Sequence, residues 1–429
     1  MGLSRERTHW ENTGSRVECA RLERIVRRKN DWRAGEGARA RDKKEESEQD
    51  MAEVLAAKAA EIKLVIDGVE AAASPGMTIL EVAEKQGTAI PTLCHVQGLV
   101  PFGGCRVCVV EIEGASHLTG ACHTPAANGM VIHTHSSKVL RARRTILELL
   151  MAGHTGPCVT DTGARSCALH QMAADVELGP PRFPVHEPRY SPVEDVSPYV
   201  RRDLSRCILC NRCVQACSEI AGADLLALAY RSSHMKVVVD CDTALNHDAC
   251  RDCGICIDYC PTTALYLPGR LGQQKTVKHR VEPADLRPST SRPATQGELL
   301  VRLQAAQQQH GYLSTHVIGE IAAALELSVS EVYSVASFYS FLSVLPLGRH
   351  VIRVCRSLPC CMKDVETIVE SIRQEVGIAP GERTADGRFS LELTNCIGAC
   401  DLAPAMLVNE DMHGNLTPEK IANVLADYK

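Results

Sequence analysis

The chain has 429 residues, of which 45% are hydrophobic and 23% charged, and this length and composition are typical of a globular protein of two to four domains. Its 47 basic and 52 acidic residues give a formal net charge of −5, which argues against a nucleic-acid-binding surface. The unusual feature is the content of 21 cysteines. Since we find no signal-peptide pattern and no apolar run of membrane-spanning length, we expect a cytoplasmic chain whose cysteines bind metal rather than form disulfides.

Composition and periodicity predict an α+β multidomain chain. Residues 1–58 are charged and lack apolar periodicity, so we predict a disordered or misassigned N-terminal extension. The remaining segments are a strand-rich ferredoxin-like domain, a helix with a His/Cys segment, a cysteine-dense module, a polar linker, a helical segment and a small α/β domain. Their predicted boundaries are 59–135, 136–178, 179–268, 269–296, 297–348 and 349–429.

The first domain begins with the pattern of a β-grasp ferredoxin. Residues 62–66 alternate apolar and polar side chains and end at Asp67 and Gly68, which predicts a strand followed by a hairpin turn. Thr78 and Glu81 then form a predicted capping box, which opens a short helix. A cysteine-bearing loop follows these elements.

The first cysteine set is Cys94, Cys105, Cys108 and Cys122. Gly103 and Gly104 precede the second cysteine, where the backbone must pass close to a cluster. Plant-type [2Fe–2S] loops share the central C-x2-C pair, although their first gap is shorter. The pattern favours a [2Fe–2S] cluster over a zinc site built on Cys105 and Cys108.

Two runs with the spacing C-x2-C-x2-C-x3-C give the strongest local signal. They are Cys207, Cys210, Cys213 and Cys217, followed by Cys250, Cys253, Cys256 and Cys260. In bacterial two-cluster ferredoxins, three cysteines of each run bind one [4Fe–4S] cluster and the fourth binds the other cluster. We therefore predict two [4Fe–4S] clusters, with Cys260 completing the first and Cys217 the second. Triple runs of this kind disfavour zinc.

A third set lies near the C-terminus and consists of Cys355, Cys360, Cys396 and Cys400. Each pair follows a predicted strand, so two strand-end loops are predicted to face each other across a second [2Fe–2S] cluster. Cys361 is adjacent to Cys360, and one of these two neighbours must be spare. Thiol–disulfide chemistry is the weaker alternative, because this domain has no C-x-x-C motif.

A fourth group follows the helix predicted over residues 136–151. It contains His154, Cys158, Asp161 and Cys167. The alternative to a metal site here is a loop histidine with two packed thiols. The residues alone leave both interpretations open.

These sets, in this order, resemble the N-terminal part of the large iron–sulfur subunit of respiratory complex I, and the same module of NAD(P)-linked iron-only hydrogenases and formate dehydrogenases. From Gly297 onward the chain resembles the thioredoxin-like [2Fe–2S] subunit of the same enzymes. Besides the cysteines, the residues that carry this second resemblance are Gly311-Tyr312-Leu313, Ser337-Phe338-Tyr339, Asn395-Cys396-Ile397-Gly398-Ala399-Cys400 and Ala403-Pro404. The fusion of the two parts in one polypeptide departs from the common pattern.

The resemblance implies the domain types: a β-grasp [2Fe–2S] ferredoxin domain, a two-[4Fe–4S] ferredoxin module, and a helical bundle leading into a thioredoxin-like [2Fe–2S] domain. It also implies a third [4Fe–4S] cluster, which this family binds with the motif H-x3-C-x2-C-x5-C. Asp161 replaces the middle cysteine of that motif here. Because a carboxylate is a harder ligand than a thiolate, the site is expected to hold a labile four-iron cluster, a three-iron cluster or none.

The resemblance further implies that FMN and NAD(P) bind to a separate flavoprotein partner. In agreement, the chain has no G-x-G-x-x-G and no P-loop motif, and no catalytic constellation emerges. We expect an electron-transfer subunit of an NAD(P)H-linked oxidoreductase, with electron bifurcation left open. Its second partner would be a ferredoxin, a hydrogenase, a formate dehydrogenase or another flavoprotein. The alternatives are an iron–sulfur redox sensor and a zinc-structured scaffold.

Overall fold

The computed structural model describes residues 61–155, 167–179, 182–183, 197–245, 247–251, 253–267 and 296–428. The predicted N-terminal extension, the linker up to residue 295, Cys158 and Asp161 lie outside these ranges. Within them the architecture is α+β and multidomain, as predicted.

A five-stranded sheet forms the first domain, with strand order β2-β1-β5-β3-β4. Its strands are β1 (Ile62–Ile66), β2 (Val69–Ala73), β3 (Val109–Ile112), β4 (Thr119–Gly120) and β5 (Val131–His133). The predicted hairpin is confirmed: β1 and β2 pair antiparallel, and Asp67 and Gly68 take the positive φ angles of a tight turn. The sheet is otherwise antiparallel, except that β1 pairs parallel with β5.

Helix α1 (Ile79–Gln86) packs on this sheet through its buried apolar face. The predicted capping box is confirmed. The Glu81 amide donates to the Thr78 hydroxyl over 3.3 Å, and the Thr78 amide donates to the Glu81 carboxylate over 2.7 Å. Gly87, with a φ of 83°, ends the helix.

Two helices connect the first domain to the cysteine-dense module. Helix α2 (Ser137–Ala152) starts at Ser136, whose hydroxyl accepts the Val139 amide proton, and helix α3 (Ala168–Asp175) packs against it. The two helices share an apolar core, to which α2 contributes Leu147 and α3 contributes Leu169.

The cysteine-dense module contains two small antiparallel ladders and two short helices. Strand β6 (Arg201–Arg202) pairs with β9 (Leu265–Tyr266), and β7 (Leu226–Ala229) pairs with β8 (Lys236–Val239). The helices, α4 (Arg212–Gln215) and α5 (Ile255–Asp258), each lie within one of the two cysteine runs. The chain therefore repeats a loop, a one-turn helix and a strand around each set of sulfurs.

The C-terminal part begins with three helices, α6 (Gln296–His310), α7 (Thr315–Leu325) and α8 (Val329–Phe338). A four-stranded sheet of order β11-β10-β12-β13 follows, made of β10 (His350–Cys355), β11 (Phe389–Thr394), β12 (Met406–Val408) and β13 (Asp411–His413). Three helices accompany it: α9 (Leu358–Cys361), α10 (Val365–Val376) and α11 (Pro418–Ala426). The parallel pair β10–β11 beside antiparallel β12 is the expected thioredoxin-like pattern.

No single helix of the described ranges is long and apolar enough to cross a bilayer. Only α7 and α8 together reach the required length and composition, and they are bent by 118° at their junction.

The helical segment packs directly on the cysteine-dense module, a contact that the sequence did not predict. Ala227, Ala229 and Val238 of the β7–β8 hairpin share one core with α6, α7 and α8. Ser330, which is 1% exposed, joins the two parts: its hydroxyl donates to the Leu225 carbonyl and accepts the Asp240 amide proton, both over 2.7 Å. The two halves of the fused chain therefore meet across an apolar interface that also contains hydrogen bonds.

We expect Ser330→Ala to weaken this interface locally, because it removes two hydrogen bonds, to the part-buried Asp240 amide and Leu225 carbonyl, at a cost of about 1–3 kcal/mol. Hydrogen exchange of the peptide that contains β8 should become about 10-fold faster or more. The control is Ser371→Ala, which removes an exposed hydroxyl bonded only within its own helix. Equal exchange of the β8 peptide in the two variants would contradict the role given to Ser330.

Candidate metal centres

The first cysteine set is assembled at the edge of the β-grasp sheet. Cys94, Cys105, Cys108 and Cys122 are all at most 9% exposed. Two thiol hydrogen bonds join them, one between Cys94 and Cys105 and the other between Cys108 and Cys122. Two such pairs of neighbouring sulfurs suit the two irons of a [2Fe–2S] cluster, because each iron takes two protein ligands.

The local backbone explains the two glycines beside this set. Gly103 has a φ of 69°, which a side chain would strain, and a Cβ on Gly104 would lie 2.4 Å from the Phe102 ring. Both glycines therefore let the loop pass tightly before Cys105.

The electrostatics of the first set favour thiolates. The hydrogen bond from Cys94 lowers the pKa of Cys105 to about 6, and the hydrogen bond from Cys122 lowers the pKa of Cys108 to about 7. One sulfur of each pair is thus prepared to bind metal at neutral pH, because the thiolate is the ligand form.

The first of the two [4Fe–4S] sets lines a single cavity, whose walls are otherwise largely apolar. The four sulfurs in it belong to Cys207, Cys210, Cys213 and Cys260. Burial raises the pKa of Cys207 and of Cys210 to about 12 and the pKa of Cys213 well above its usual value. Since thiolates are unfavourable there without a positive partner, the site fits a cluster that supplies positive charge.

The structure also places the fourth cysteine of each run beside the other run. Burial is the main cause that raises the pKa of Cys256. The next largest causes are the charges of the nearby cysteines Cys217, Cys250 and Cys253. The turn Ala216–Ile220 is π-helical, and this wider turn carries Cys217. The exchange of Cys260 and Cys217 between the two sets is therefore possible in this fold, and the ligand assignment stays a prediction.

Backbone amides point at the sulfurs of this module. The Leu209 amide donates to Cys207 over 3.4 Å and the Ala264 amide donates to Cys260 over 3.2 Å. Burial raises the pKa of Cys217, and amide donation from Leu225 opposes this effect. Amide hydrogen bonds of this kind stabilise added negative charge on a cluster and so raise its reduction potential.

The C-terminal set lies at the ends of β10 and β11, where the sequence predicted two facing loops. Cys355 and Cys360 are each 2% exposed, whereas Cys396 and Cys400 are exposed and have their sulfurs 3.4 Å apart. Burial raises the pKa of Cys355, but backbone donation from Ser357 and Ile397 brings the net value below the usual one. The four thiols form a site that is open to solvent on one side.

The neighbouring cysteine points elsewhere. Cys361 is exposed, while Cys360 is buried in the core of the domain beside Cys355. Cys360 therefore lies with Cys355 and Cys361 does not, and the choice of Cys360 as the ligand stays a prediction. Cys241 lies outside the cysteine runs, which predicts a packed thiol rather than a ligand, and it is half-buried against the core shared with the helical segment.

The fourth predicted group is only partly described. His154 and Cys167 are 5% and 1% exposed, and His154 Nε2 lies 3.6 Å from Cys167 Sγ. His170, a residue that the sequence analysis did not single out, offers a third ligand atom, and the three atoms lie within 4.8 Å of one another. Its spacing of three residues from Cys167, one helical turn, is the signal that would have found it.

The fold and these cysteine sets define an iron–sulfur protein. Its domains match three protein-family profiles: "2Fe-2S iron-sulfur cluster binding domain" over residues 59–137, "NADH-quinone oxidoreductase subunit 3, ferredoxin-like domain" over residues 197–266, and "Thioredoxin-like [2Fe-2S] ferredoxin" over residues 288–429. Binding domains for both [2Fe–2S] and [4Fe–4S] clusters are thus indicated.

The chain is similar to curated proteins of two kinds, which differ in how much of their own length it covers. NADP-reducing hydrogenase subunit HndD of Solidesulfovibrio fructosivorans is 34% identical over 215 residues, which is 48% of this chain and 36% of that protein. The "G 2" subunit of NADH-quinone oxidoreductase from Rhizobium meliloti is 36% identical over 213 residues, or 48% of this chain and 24% of that protein. The chain therefore spans about a third or less of the length of these two relatives.

A third relative is matched over nearly its whole length. NADP-reducing hydrogenase subunit HndA of S. fructosivorans is 34% identical over 163 residues, which is 37% of this chain and 95% of that protein. The chain belongs to this thioredoxin-like [2Fe–2S] ferredoxin family, joined in one polypeptide to an N-terminal iron–sulfur module similar to that of the two larger relatives.

We expect Cys260→Ser to affect only the cluster that is assigned to Cys207, Cys210 and Cys213. Loss of one thiolate should convert this cluster into a three-iron form, seen as a new signal in the electron paramagnetic resonance (EPR) spectrum of the oxidised protein. Cys241→Ser is the matched control and should leave the spectrum unchanged. If Cys260→Ser instead removed the signal of the other [4Fe–4S] cluster, the exchanged assignment would be wrong.

The C-terminal ligand assignment can be checked with neighbouring cysteines. We expect Cys360→Ser to remove one [2Fe–2S] signal and lower the iron content by about two atoms per chain. Cys361→Ser should change neither, because this thiol points to solvent. Loss of the cluster in Cys361→Ser would show that the loop uses the other cysteine.

Proposed function

We propose that the chain is an electron-relay subunit that holds two [2Fe–2S] and two [4Fe–4S] clusters and passes single electrons between an NAD(P)H-oxidising flavoprotein and a second redox protein. The observation that carries the proposal is the packing of different cysteine sets into one core. Cys94 and Cys105 of the first set share an apolar cluster with Cys210 of the cysteine-dense module. Electrons crossing between these sites would therefore pass through closely packed protein.

Direct contacts hold the two domains in this arrangement. The guanidinium of Arg212 donates to the Leu93 carbonyl over 3.3 Å, next to Cys94. The Val100 amide donates to Glu219 over 3.2 Å, and Gln215 donates to the Val100 carbonyl. These bonds run from the first cysteine loop to residues 212–219 of the cysteine-dense module. They support a fixed distance between the first [2Fe–2S] cluster and the [4Fe–4S] clusters.

The C-terminal cluster would exchange electrons with the flavoprotein. Cys396 and Cys400 are exposed, and two large apolar side chains, Leu358 and Met362, flank Cys360 with 72% and 77% exposure. Exposed apolar side chains beside a solvent-facing redox site are suited to a protein partner that excludes water from the path. The relatives' names support the class of enzyme, because they describe subunits of an NADP-reducing hydrogenase and of NADH-quinone oxidoreductase.

The chemistry on this chain would be confined to one-electron transfer. Bound clusters would supply the redox chemistry. The residues of this chain position them, exclude water through apolar walls and direct amides at the sulfurs. Flavin and nicotinamide would bind on the partner, where the two-electron chemistry of hydride transfer takes place.

The first test is co-purification of the tagged full chain under anaerobic conditions, followed by reduction with NADH or NADPH. We expect a flavoprotein partner, about 12 irons per chain and bleaching of the visible absorbance only when the flavoprotein is present. A colourless protein, or iron for a single cluster without a partner, would contradict the relay. Reduction that needs no flavoprotein would contradict the assignment of the partner.

The docking surface has its own test. We expect the double variant Leu358→Asp and Met362→Asp to bind the flavoprotein at least about 10-fold more weakly, because two charges would be desolvated at the contact. The control is Met412→Asp, an exposed apolar residue on β13 of the same domain. Affinity is measured by titration, with the [2Fe–2S] spectrum as a check on folding. Unchanged affinity in the double variant would place the partner elsewhere.

A further inference from the structure

A three-residue group between α2 and α3 has the geometry of a site for a single metal ion. It consists of His154, Cys167 and His170, each with one ligand atom within 4.8 Å of the other two. His154 follows α2, Cys167 is the residue at which α3 begins, and His170 lies one turn into α3. The site is therefore built where the ends of two packed helices meet.

The orientation of His154 is fixed for metal binding. Its Nδ1 lies 2.9 Å from the carbonyl oxygen of Arg206, which only accepts hydrogen bonds, so Nδ1 carries the proton. The lone pair is then on Nε2, the nitrogen that lies 3.6 Å from Cys167 Sγ. A ligand histidine held through its other nitrogen by a carbonyl group is the usual arrangement around protein-bound metals.

Cys167 and His170 complete the group. The sulfur of Cys167 is buried at the N-terminus of α3, where the helix dipole favours a thiolate. The Nδ1 atom of His170 is buried and has no hydrogen-bond partner among the described residues, and coordination of its ring would offset that cost. The two imidazole rings have centroids 5.1 Å apart at an angle of 60°, so they converge without stacking.

The distances between ligand atoms distinguish a site for a single metal ion from a site for a cluster. A tetrahedral zinc ion with Zn–S of about 2.3 Å and Zn–N of about 2.05 Å would hold sulfur and nitrogen about 3.6 Å apart. Ligands of a [4Fe–4S] cluster bind different irons and so lie considerably farther apart. Within this chain, close sulfur pairs occur in the two predicted [2Fe–2S] sites, where two ligands share one iron. In the described part of the cysteine-dense module, no thiol hydrogen bond joins two of the [4Fe–4S] sulfurs.

We propose that His154, Cys167 and His170 bind one tetrahedral divalent ion, for which zinc is the best match, instead of a third [4Fe–4S] cluster. Two neutral imidazoles and one thiolate are the ligand types that zinc prefers, and a further ligand or water fills the fourth position. Zinc has no redox chemistry, so the ion would act structurally. It would fix α2, α3 and the Arg206 loop that leads to Cys207.

The proposed zinc site does not depend on the proposed electron relay. Electrons could still pass directly from the first [2Fe–2S] site to the cysteine-dense module. Cys94 and Cys105 share one core with both Cys167 and Cys210, so the first [2Fe–2S] site adjoins the cysteine-dense module without an intervening cluster. The zinc proposal and the relay proposal can therefore fail separately.

The test is metal analysis of the full chain, produced with iron–sulfur assembly proteins, purified anaerobically and treated with a chelator. We expect about one zinc and about 12 irons per chain, and a zinc X-ray absorption spectrum with one sulfur and two imidazole nitrogens among its ligands. His170→Gln should lower the zinc content at least about 10-fold while the iron content and the EPR signals of the four clusters persist. Iron near 16 per chain without zinc would overturn the proposal.

Two further variants sharpen the result. His170→Cys keeps a zinc ligand at this position and should retain zinc, whereas His316→Gln changes an exposed histidine on α7 and should retain both metals. Zinc that persists in His170→Gln would overturn the assignment of His170. If the four clusters are absent from the parent chain but zinc is bound, the relay fails and the zinc site stands.

Discussion

Buried thiolates are unfavourable unless positive charge lies nearby. The packing of the cysteine-bearing cores of this chain depends on that constraint. Of the cysteines assigned to clusters, most are at most 9% exposed, and burial raises the pKa of several of them. A thiol whose pKa is raised in this way loses its proton readily only when a cation compensates the charge. Folding and cluster binding are thus linked, because the core closes around groups that the iron must compensate.

The same cores that hold the sulfurs also join the domains. One apolar cluster contains residues of the β-grasp loop, α2, α3 and the cysteine-dense module. A second contains the β7–β8 hairpin and the helices α6 to α8. The parts that resemble two separate subunits in other enzymes are therefore packed together here as well as covalently linked. The proposed relay requires fixed distances between its redox centres, and this packing would supply them on the N-terminal side.

The cysteine sets at the two ends of the chain differ in their exposure to solvent. The N-terminal and central cysteine sets are mostly buried, whereas two of the four C-terminal cysteines are exposed and lie beside apolar side chains. Burial protects a cluster from water and from side reactions, while exposure permits exchange with a partner. The group at His154 differs from both, since its imidazoles and its thiolate suit an ion that holds helices together without carrying electrons.

Much of this protein was determined by the sequence alone. Cysteine spacing predicted which domains would be present, because a cluster fixes the spacing of its ligands, and the capping box at Thr78 and the turn at Asp67 and Gly68 are local effects. The tertiary structure decided what depends on distant residues meeting. It buried Cys360 rather than Cys361 beside Cys355, placed the α8 residue Ser330 against Leu225 and brought His170 to His154. Spacing predicts that His170 lies one helical turn from Cys167, but its contact with His154 and the contact of Ser330 with Leu225 arise from the packing of separate elements.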